Sequence, residues 1–376
     1  MAFNKIEILD GISKTGFILE NEIQNHLKND GWTIISNRYY IDDVQGTERE
    51  MDIVAYKART DSEDVVYYTA LIISCKKDNE NHWVFLTTNS NMSDLNTDFY
   101  PFHYIANEER LKLMLSSYRQ SVIDKIKTNT EIVSIFDYSR NISAFQQLKK
   151  GNSTAQNDKH IYNSISTLIK AVESEKKQIN GDLKKKNRIY SFYLLSVVKG
   201  EMLEVNLDNY PRDVVEIEDI NYLNRHIVNR TDNFYRIRFV RDDYFKSVLH
   251  QYDELHNFNF QTYSKMLQEF YDDIFEHNDR VKLYWEQFIS SIRFEVNWQL
   301  RKVELLKDIK VTGFNYDYSK KNGLTLEPIC EEYSQWQLLT ETLNDSYKTN
   351  HKFIANKLNE FFRYKGSFNF DNILPF

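Results

Sequence analysis

Apolar and polar positions follow two different rhythms along this chain, and the rhythm switches several times before residue 90. Between residues 14 and 30, Phe17, Ile23 and Leu27 fall near a helical period with polar residues between them. Gly31 follows as a stop, so the segment predicts an amphipathic helix. The stretches WTIISNRYYID and REMDIVAYKA are rich in Ile, Val and Tyr, and between them lies DVQGTE, whose Gly46 marks a turn; they predict two paired strands. The apolar run VVYYTALIISCKK is long enough for a central strand, and HWVFLTT continues the sheet after a break at DNEN. The order predicted over 13–88 is therefore helix, strand, strand, strand.

The pattern loosens over about 89–155, where a loop-like NSNMSDLNTDFYP, a helical NEERLKLMLSSYRQSVIDKI and a polar QLKKGNSTAQNDK read as an insertion. Helical spacing returns in HIYNSISTLIKAVESE. After a charged turn come RIYSFYLLSVV and MLEVNL, joined by Lys199-Gly200-Glu201, which predict a hairpin entering the same sheet. FYRIRFV predicts a further strand, and a helix begins near Asp242 or Asp243, where an acidic residue suits a helix N-terminus. Past residue 256 long helical stretches dominate, with a final helix near 346–364. The expectation is an α/β core over 1–255, a mixed central sheet flanked by helices and interrupted by the insertion, followed by a mainly helical region over 256–376.

Composition narrows this further. Only 4 Pro and 10 Gly in 376 residues disfavour long linkers and turn-rich all-β designs, while 14% aromatic residues supply a large core. The formal net charge of −7 excludes a protein that coats nucleic acid non-specifically, so any nucleic-acid site must be local. Two cysteines, Cys75 and Cys330, make no disulfide framework, and no run approaches the roughly 20 apolar residues of a membrane span. With no cationic stretch followed by an apolar one at the N-terminus, a protein of a reducing cytoplasm is the simplest expectation.

The chemistry lies on the strands. Period-two alternation puts Ser74 and Lys76 on one face and Cys75 and Lys77 on the other; if the strands are neighbours, Asp52 meets the first pair. At this point the segment resembles the PD-(D/E)XK, or restriction-endonuclease-like, nucleases, and in particular their Mrr-like group. Gly16, Phe17, Glu20, Ile23, Leu27 and Gly31 fit the register of that family's first helix. The resemblance makes Glu20 the helix glutamate that supports the metal, Asp52 the strand aspartate that binds it, and Lys76 the lysine of the (D/E)-x-K pair. The later helix over 160–175 and the strands from 189 to 207 resemble the second helix and closing strands of that core. The departure is Ser74, where the family has Glu, Asp or sometimes Gln; a hydroxyl is a weaker ligand than a carboxylate for Mg²⁺. Glu50, two residues before Asp52, shares its face and offers the missing charge, and Glu48 lies two further back.

The resemblance implies a Mg²⁺- or Mn²⁺-dependent endonuclease acting on DNA, with restriction or anti-phage defence as its role. Lys77, Lys184, Lys185, Lys186 and Arg188 offer phosphate contacts, although a charge run beside a turn is commonly just solvated. Two alternatives stand beside this: a catalytically silent nuclease-like module that binds nucleic acid or a partner protein, and an assembly protein forming a homo-oligomer through its helical C-terminal half. A Ser–Lys hydrolase lacks a glycine loop for an oxyanion, and His250 and His256, six apart, do not face one another on a helix for zinc.

Overall fold

The computed structural model describes residues 4–13, 15–42, 46–180, 187–331, 335–345 and 349–373. The chain divides into two compact units, 1–263 and 264–376, where the sequence reading set the boundary at 255/256.

The first unit runs α1 (Lys5–Ser13), α2 (Phe17–Asn29), β1 (Thr33–Ile41), β2 (Glu48–Thr60), β3 (Val66–Asn89), β4 (His103–Ala106), α3 (Glu109–Ser117), α4 (Arg119–Thr128), β5 (Arg140–Lys149), β6 (Ala155–Gln156), α5 (Lys159–Asn180), β7 (Arg188–Asn206), β8 (Val215–Glu216), β9 (Asp219–Val228) and β10 (Thr231–Arg241). Helix α6 (Phe245–Asp272) follows. One mixed sheet has the order β1-β2-β3-β7-β10-β9. Strands β1 and β3 are each antiparallel to β2 between them, and β7 then runs parallel to both β3 and β10. The α/β class with a mixed sheet flanked by helices is as the sequence implied.

Alternation decides what each layer buries. Val54, Ala70, Ile72, Phe192 and Leu194 join Ile161, Ile165, Leu168, Ile169 and Val172 of α5 in one core. Each of the Val, Leu, Ile and Phe side chains among them, fully buried, stabilises by roughly 1.5–3 kcal/mol. Helix α2 contacts β1, β2 and β3 and buries Leu19, Ile23 and Leu27, a clean i, i+4, i+8 stripe. Phe17 was expected on that stripe, but it is 70% exposed, because it lies six positions before Ile23, an offset that carries it off the face. Gly31 closes the helix with φ of 79°.

Two sequence expectations are corrected in this unit. The segments around Lys199-Gly200-Glu201 do not form a hairpin, because β7 is a single straight strand. The irregularity lies in β3 instead: Lys77 pairs with Lys199 and His82 with Glu201, so residues 78–81 bulge opposite Gly200 alone. A Cβ on Gly200 would sit 2.6 Å from the Asp78 carbonyl oxygen, so only glycine lets β7 pass. The buried Asp78 carboxylate holds the bulge, accepting from the Asn81 N–H at 3.0 Å, the Trp83 indole N–H at 3.0 Å, and Gln147. The insertion over 89–155 is also more ordered than its polarity implied. It adds β4 beside β7 and β5 beside the second half of β3, where Arg140–Lys149 reads as polar because only Ile142 and Gln147 of that strand are buried.

The second unit contains α7 (Asn278–Lys282), α8 (Trp285–Leu300), β11 (Val311–Ser319), β12 (Gly323–Cys330), α9 (Trp336–Asn344), α10 (Thr349–Phe362) and β13 (Phe368–Phe370). The three strands were not anticipated; they form a sheet in the order β11-β12-β13. Phe288, Ile292, Val296 and Leu300 of α8 are fully buried, as are Leu326 and Phe362, and the Phe288 and Phe362 rings lie 5.3 Å apart. The Asn344 side chain clasps the β13 backbone, donating to the Phe370 carbonyl at 2.8 Å and accepting its N–H at 2.7 Å. Among the described residues no helix is long and apolar enough to cross a membrane.

Candidate functional site

The β2–β3 ladder ends at Ile53 with Ile73, so Asp52 and Ser74 stand at the point where the two strands part. There the Asp52 carboxylate replaces the missing backbone partner: the Cys75 N–H donates to Oδ2 at 2.7 Å. The Ser74 hydroxyl donates to the same oxygen at 3.2 Å, and the Lys76 ammonium lies 3.3 Å away. Lys76 also reaches the Cys75 carbonyl at 3.3 Å. Three donors thus converge on one carboxylate oxygen. The lysine and the aspartate are each about a fifth exposed, at 24% and 18% of their side chains, which places this ion pair at the water's edge rather than in the core.

Glu20 approaches from α2, in the first turn of that helix. Burial pushes its carboxyl above the usual range, and the negative charges of Asp52 and Glu50 raise it further against the opposing pull of Lys76. Gly16 lies beneath it; a Cβ there would stand 3.4 Å from Glu20 Oε1. Glu50 lies two residues before Asp52 on β2 and lines the same cleft, whereas Glu48 is exposed at the start of the strand. Cys75 is buried, and its thiol is pushed well up, first by burial and then by Asp52 and Glu20. It is no nucleophile. Ser74 is 1% exposed with its proton committed to Asp52, an arrangement contrary to a Ser–Lys hydrolase.

Asp52, Glu50 and Lys76 open onto a cleft of about 620 Å³ whose far wall is α5. His160, Asn163, Thr167 and Lys170 project into it at helical spacings of three, four and three residues. At its rim Asp42 pairs with Lys170 at 2.8 Å and with Arg49 at 3.9 Å. The sequence reading missed this wall. Its polar stripe is visible in the periodicity of α5, but which element it faces is not.

The other expected cations lie elsewhere. Lys77 points to the opposite face, as alternation requires, and donates to the Ser13 carbonyl. Arg188 begins β7 opposite Val66, ten residues along the ladder from Lys76 and Val198, about 33 Å at 3.3 Å per residue. There it lines a separate cavity of about 350 Å³ with Tyr56, Tyr68 and Tyr190. Lys184, Lys185 and Lys186 lie outside the described residues.

Among the described residues no three His, Cys, Asp or Glu side chains stand close enough to hold an ion together. Mg²⁺ needs only one or two carboxylates and keeps its remaining waters, so Asp52 with Glu20 or Glu50 is a donor set of suitable chemistry. Burial, and after it the charges of Asp52 and Glu50, push the Glu20 carboxyl up, and a cation bound beside it would act in the opposite direction.

The chain matches no protein-family model, and neither a curated protein nor a solved structure matches it.

Proposed function

We propose that this protein is a metal-dependent nuclease of the restriction-endonuclease-like type, hydrolysing phosphodiester bonds of DNA. The observation that carries the reading is the meeting of Asp52, Ser74 and Lys76 where β2 and β3 part, with Glu20 electrostatically coupled to them. The order of elements supports it: helix, three antiparallel strands, an insertion, a second helix and a parallel closing strand in the same sheet, as the resemblance implies. Restriction or anti-phage defence in the cytoplasm is the role that goes with that resemblance, and it rests on analogy.

Asp52 and Glu20 or Glu50 would hold Mg²⁺ or Mn²⁺, which when bound supplies a Lewis acid for the scissile phosphate and an activated water. The remaining work falls to the chain. Lys76 brings a positive charge to the phosphate oxygen on which charge develops. The Cys75 N–H and the Ser74 hydroxyl fix the Asp52 carboxylate, so that it does not reorganise during the reaction.

A second reading keeps the fold and the nucleic-acid site without hydrolysis. It is favoured by Ser74 at the acidic position, whose hydroxyl is held by Asp52. The test is incubation with plasmid, linear and single-stranded DNA and with RNA, each with Mg²⁺, Mn²⁺ or EDTA, beside folded Asp52→Ala and Lys76→Ala variants. Metal-dependent cleavage lost in both variants supports the nuclease. Binding without cleavage under every condition selects the silent module.

A further inference from the structure

The cleft segregates charge in a way that the hydrolytic site alone does not require. On its strand side Glu50 and Asp52 stand against Lys76, and Glu20 of α2 is electrostatically coupled to all three, so three carboxylates with one ammonium leave two formal negative charges, the complement of one divalent cation. At the opposite rim, Lys170 of α5 and Arg49 of β2 both pair with the Asp42 carboxylate. Asp42 is nearly inaccessible at 5% of its side chain, while Lys170 is 22% and Arg49 50% exposed. The acid is therefore tucked behind the cations, and the cations meet the solvent in the cleft. Lys170 continues a stripe of His160, Asn163 and Thr167 on the same wall, all with groups that hydrogen-bond anionic oxygens.

We propose that this α5 wall, together with Arg49 of β2 at its rim, is a second phosphate subsite, in which Lys170 and Arg49, aided by Asn163 and Thr167, bind the phosphate next to the scissile one on the same nucleic-acid strand. The proposal rests on the nuclease reading for its substrate but not for its physics. A polyanion crossing the cleft meets carboxylates on the strand side, where a metal would neutralise them, and the exposed heads of Lys170 and Arg49 at the opposite rim. Side-chain ammonium, guanidinium, amide and hydroxyl groups contact phosphate and sugar and carry no base information, so binding here is independent of sequence. Lys76 and Lys170 consequently have different duties: Lys76 acts on the reacting phosphate, and Lys170 is a positioning residue that sets affinity and register.

The test uses the full chain, a fluorescein-labelled mixed-sequence oligonucleotide, single-stranded or duplex, and a salt titration without metal, followed by cleavage kinetics in Mn²⁺. Lys170→Met is expected to weaken binding about tenfold and to reduce the slope of log K against log salt by about 0.7–0.9, one phosphate contact. In cleavage it is expected to raise KM while leaving kcat within about threefold, whereas Lys76→Ala removes kcat. Because Lys170→Met also strips Asp42 of a partner, Asn163→Asp serves as the second variant. Asn163 is exposed, so a carboxylate there leaves the fold intact and repels the phosphate, with a similar loss of affinity, and Lys170→Arg restores binding. Wild-type affinity and salt slope in both Lys170→Met and Asn163→Asp overturn the subsite, as does a wild-type protein that binds neither oligonucleotide. The nuclease reading is judged separately: a protein whose binding responds to the α5 variants but which never cleaves retains the subsite and loses the hydrolysis.

Discussion

Asp52→Asn keeps the side chain's shape and an oxygen acceptor while removing one charge, and its consequences without metal follow from two neighbours, Lys76 and Glu20. The Lys76 ammonium, 3.3 Å from Oδ2, loses an attraction of about 5 kcal/mol at an effective dielectric of 20 and about 1.3 kcal/mol in bulk water. With both groups about a fifth exposed, screening brings the net worth toward the lower figure. Opposing that loss, Glu20 no longer faces the Asp52 charge that helps raise its pKa. The folded state should therefore change by no more than about 1–2 kcal/mol, and the variant should melt near the wild type without metal. Metal separates the two proteins. At a hundredfold excess of Mn²⁺ over its Kd, a bound ion stabilises the wild type by about 2.7 kcal/mol, which at about 2–4 °C per kcal/mol raises Tm by roughly 5–11 °C. The Asn variant should show little of that rise and no cleavage. Differential scanning calorimetry with Mn²⁺ and with EDTA measures the first, and a plasmid nicking assay the second. An Asn variant that keeps the full Mn²⁺-dependent rise would refute the reasoning, because the ion would then be bound away from Asp52.

Three further outcomes are expected. Ser74→Asp restores a carboxylate at the position where the resemblance has one and should tighten Mn²⁺ binding about tenfold, roughly 1.4 kcal/mol, in isothermal titration calorimetry; unchanged affinity would place Ser74 outside the ligand sphere. Gly200→Ala drives a Cβ to 2.6 Å from the Asp78 carbonyl and should cost about 1–3 kcal/mol as overpacking, read from the urea midpoint; a neutral substitution would mean that the bulge yields freely. His256 is held neutral, its pKa lowered to about 4, chiefly by burial and then by Lys57 and Arg59. The unfolded chain therefore takes up this proton first as pH falls, so the stability His256 contributes is present above its ordinary value of about 6.5 and is lost progressively between 6.5 and 4. His256→Gln should flatten the acid limb of the stability curve in that window, and an unchanged acid limb would show that the titration belongs to other groups.

The parts of this molecule legible in the sequence are those set by local periodicity. Alternation alone puts Ser74 and Lys76 on one side of β3 and Cys75 and Lys77 on the other, because successive side chains of an extended strand point oppositely. Ile23 and Leu27 likewise announce the buried stripe of α2, which the structure begins at Leu19, and Gly31 announces its end. Where several residues compete for a role, periodicity misleads: Phe17 is as apolar as Leu19 yet lies exposed, two residues off the stripe. β5 escaped notice for the converse reason, since a strand paired along the sheet needs backbone partners and only a few apolar side chains.

What the tertiary structure alone decided is which local elements meet. The sequence determined that Asp52 lies in one extended segment and that Ser74 and Lys76 share a face of the next; the pairing of Ile53 with Ile73 brought them within hydrogen-bonding distance. The straight passage of β7 past the Asp78 bulge, which the sequence suggested was a hairpin, depends on a backbone approach that only Gly200 permits. The polar stripe of α5 was present in the chain from the start, but its position opposite Lys76 follows from burying Ile161, Ile165, Leu168, Ile169 and Val172 on the sheet. Strand register and helix docking are set by contacts between residues far apart in sequence, and local spacing carries no information about them.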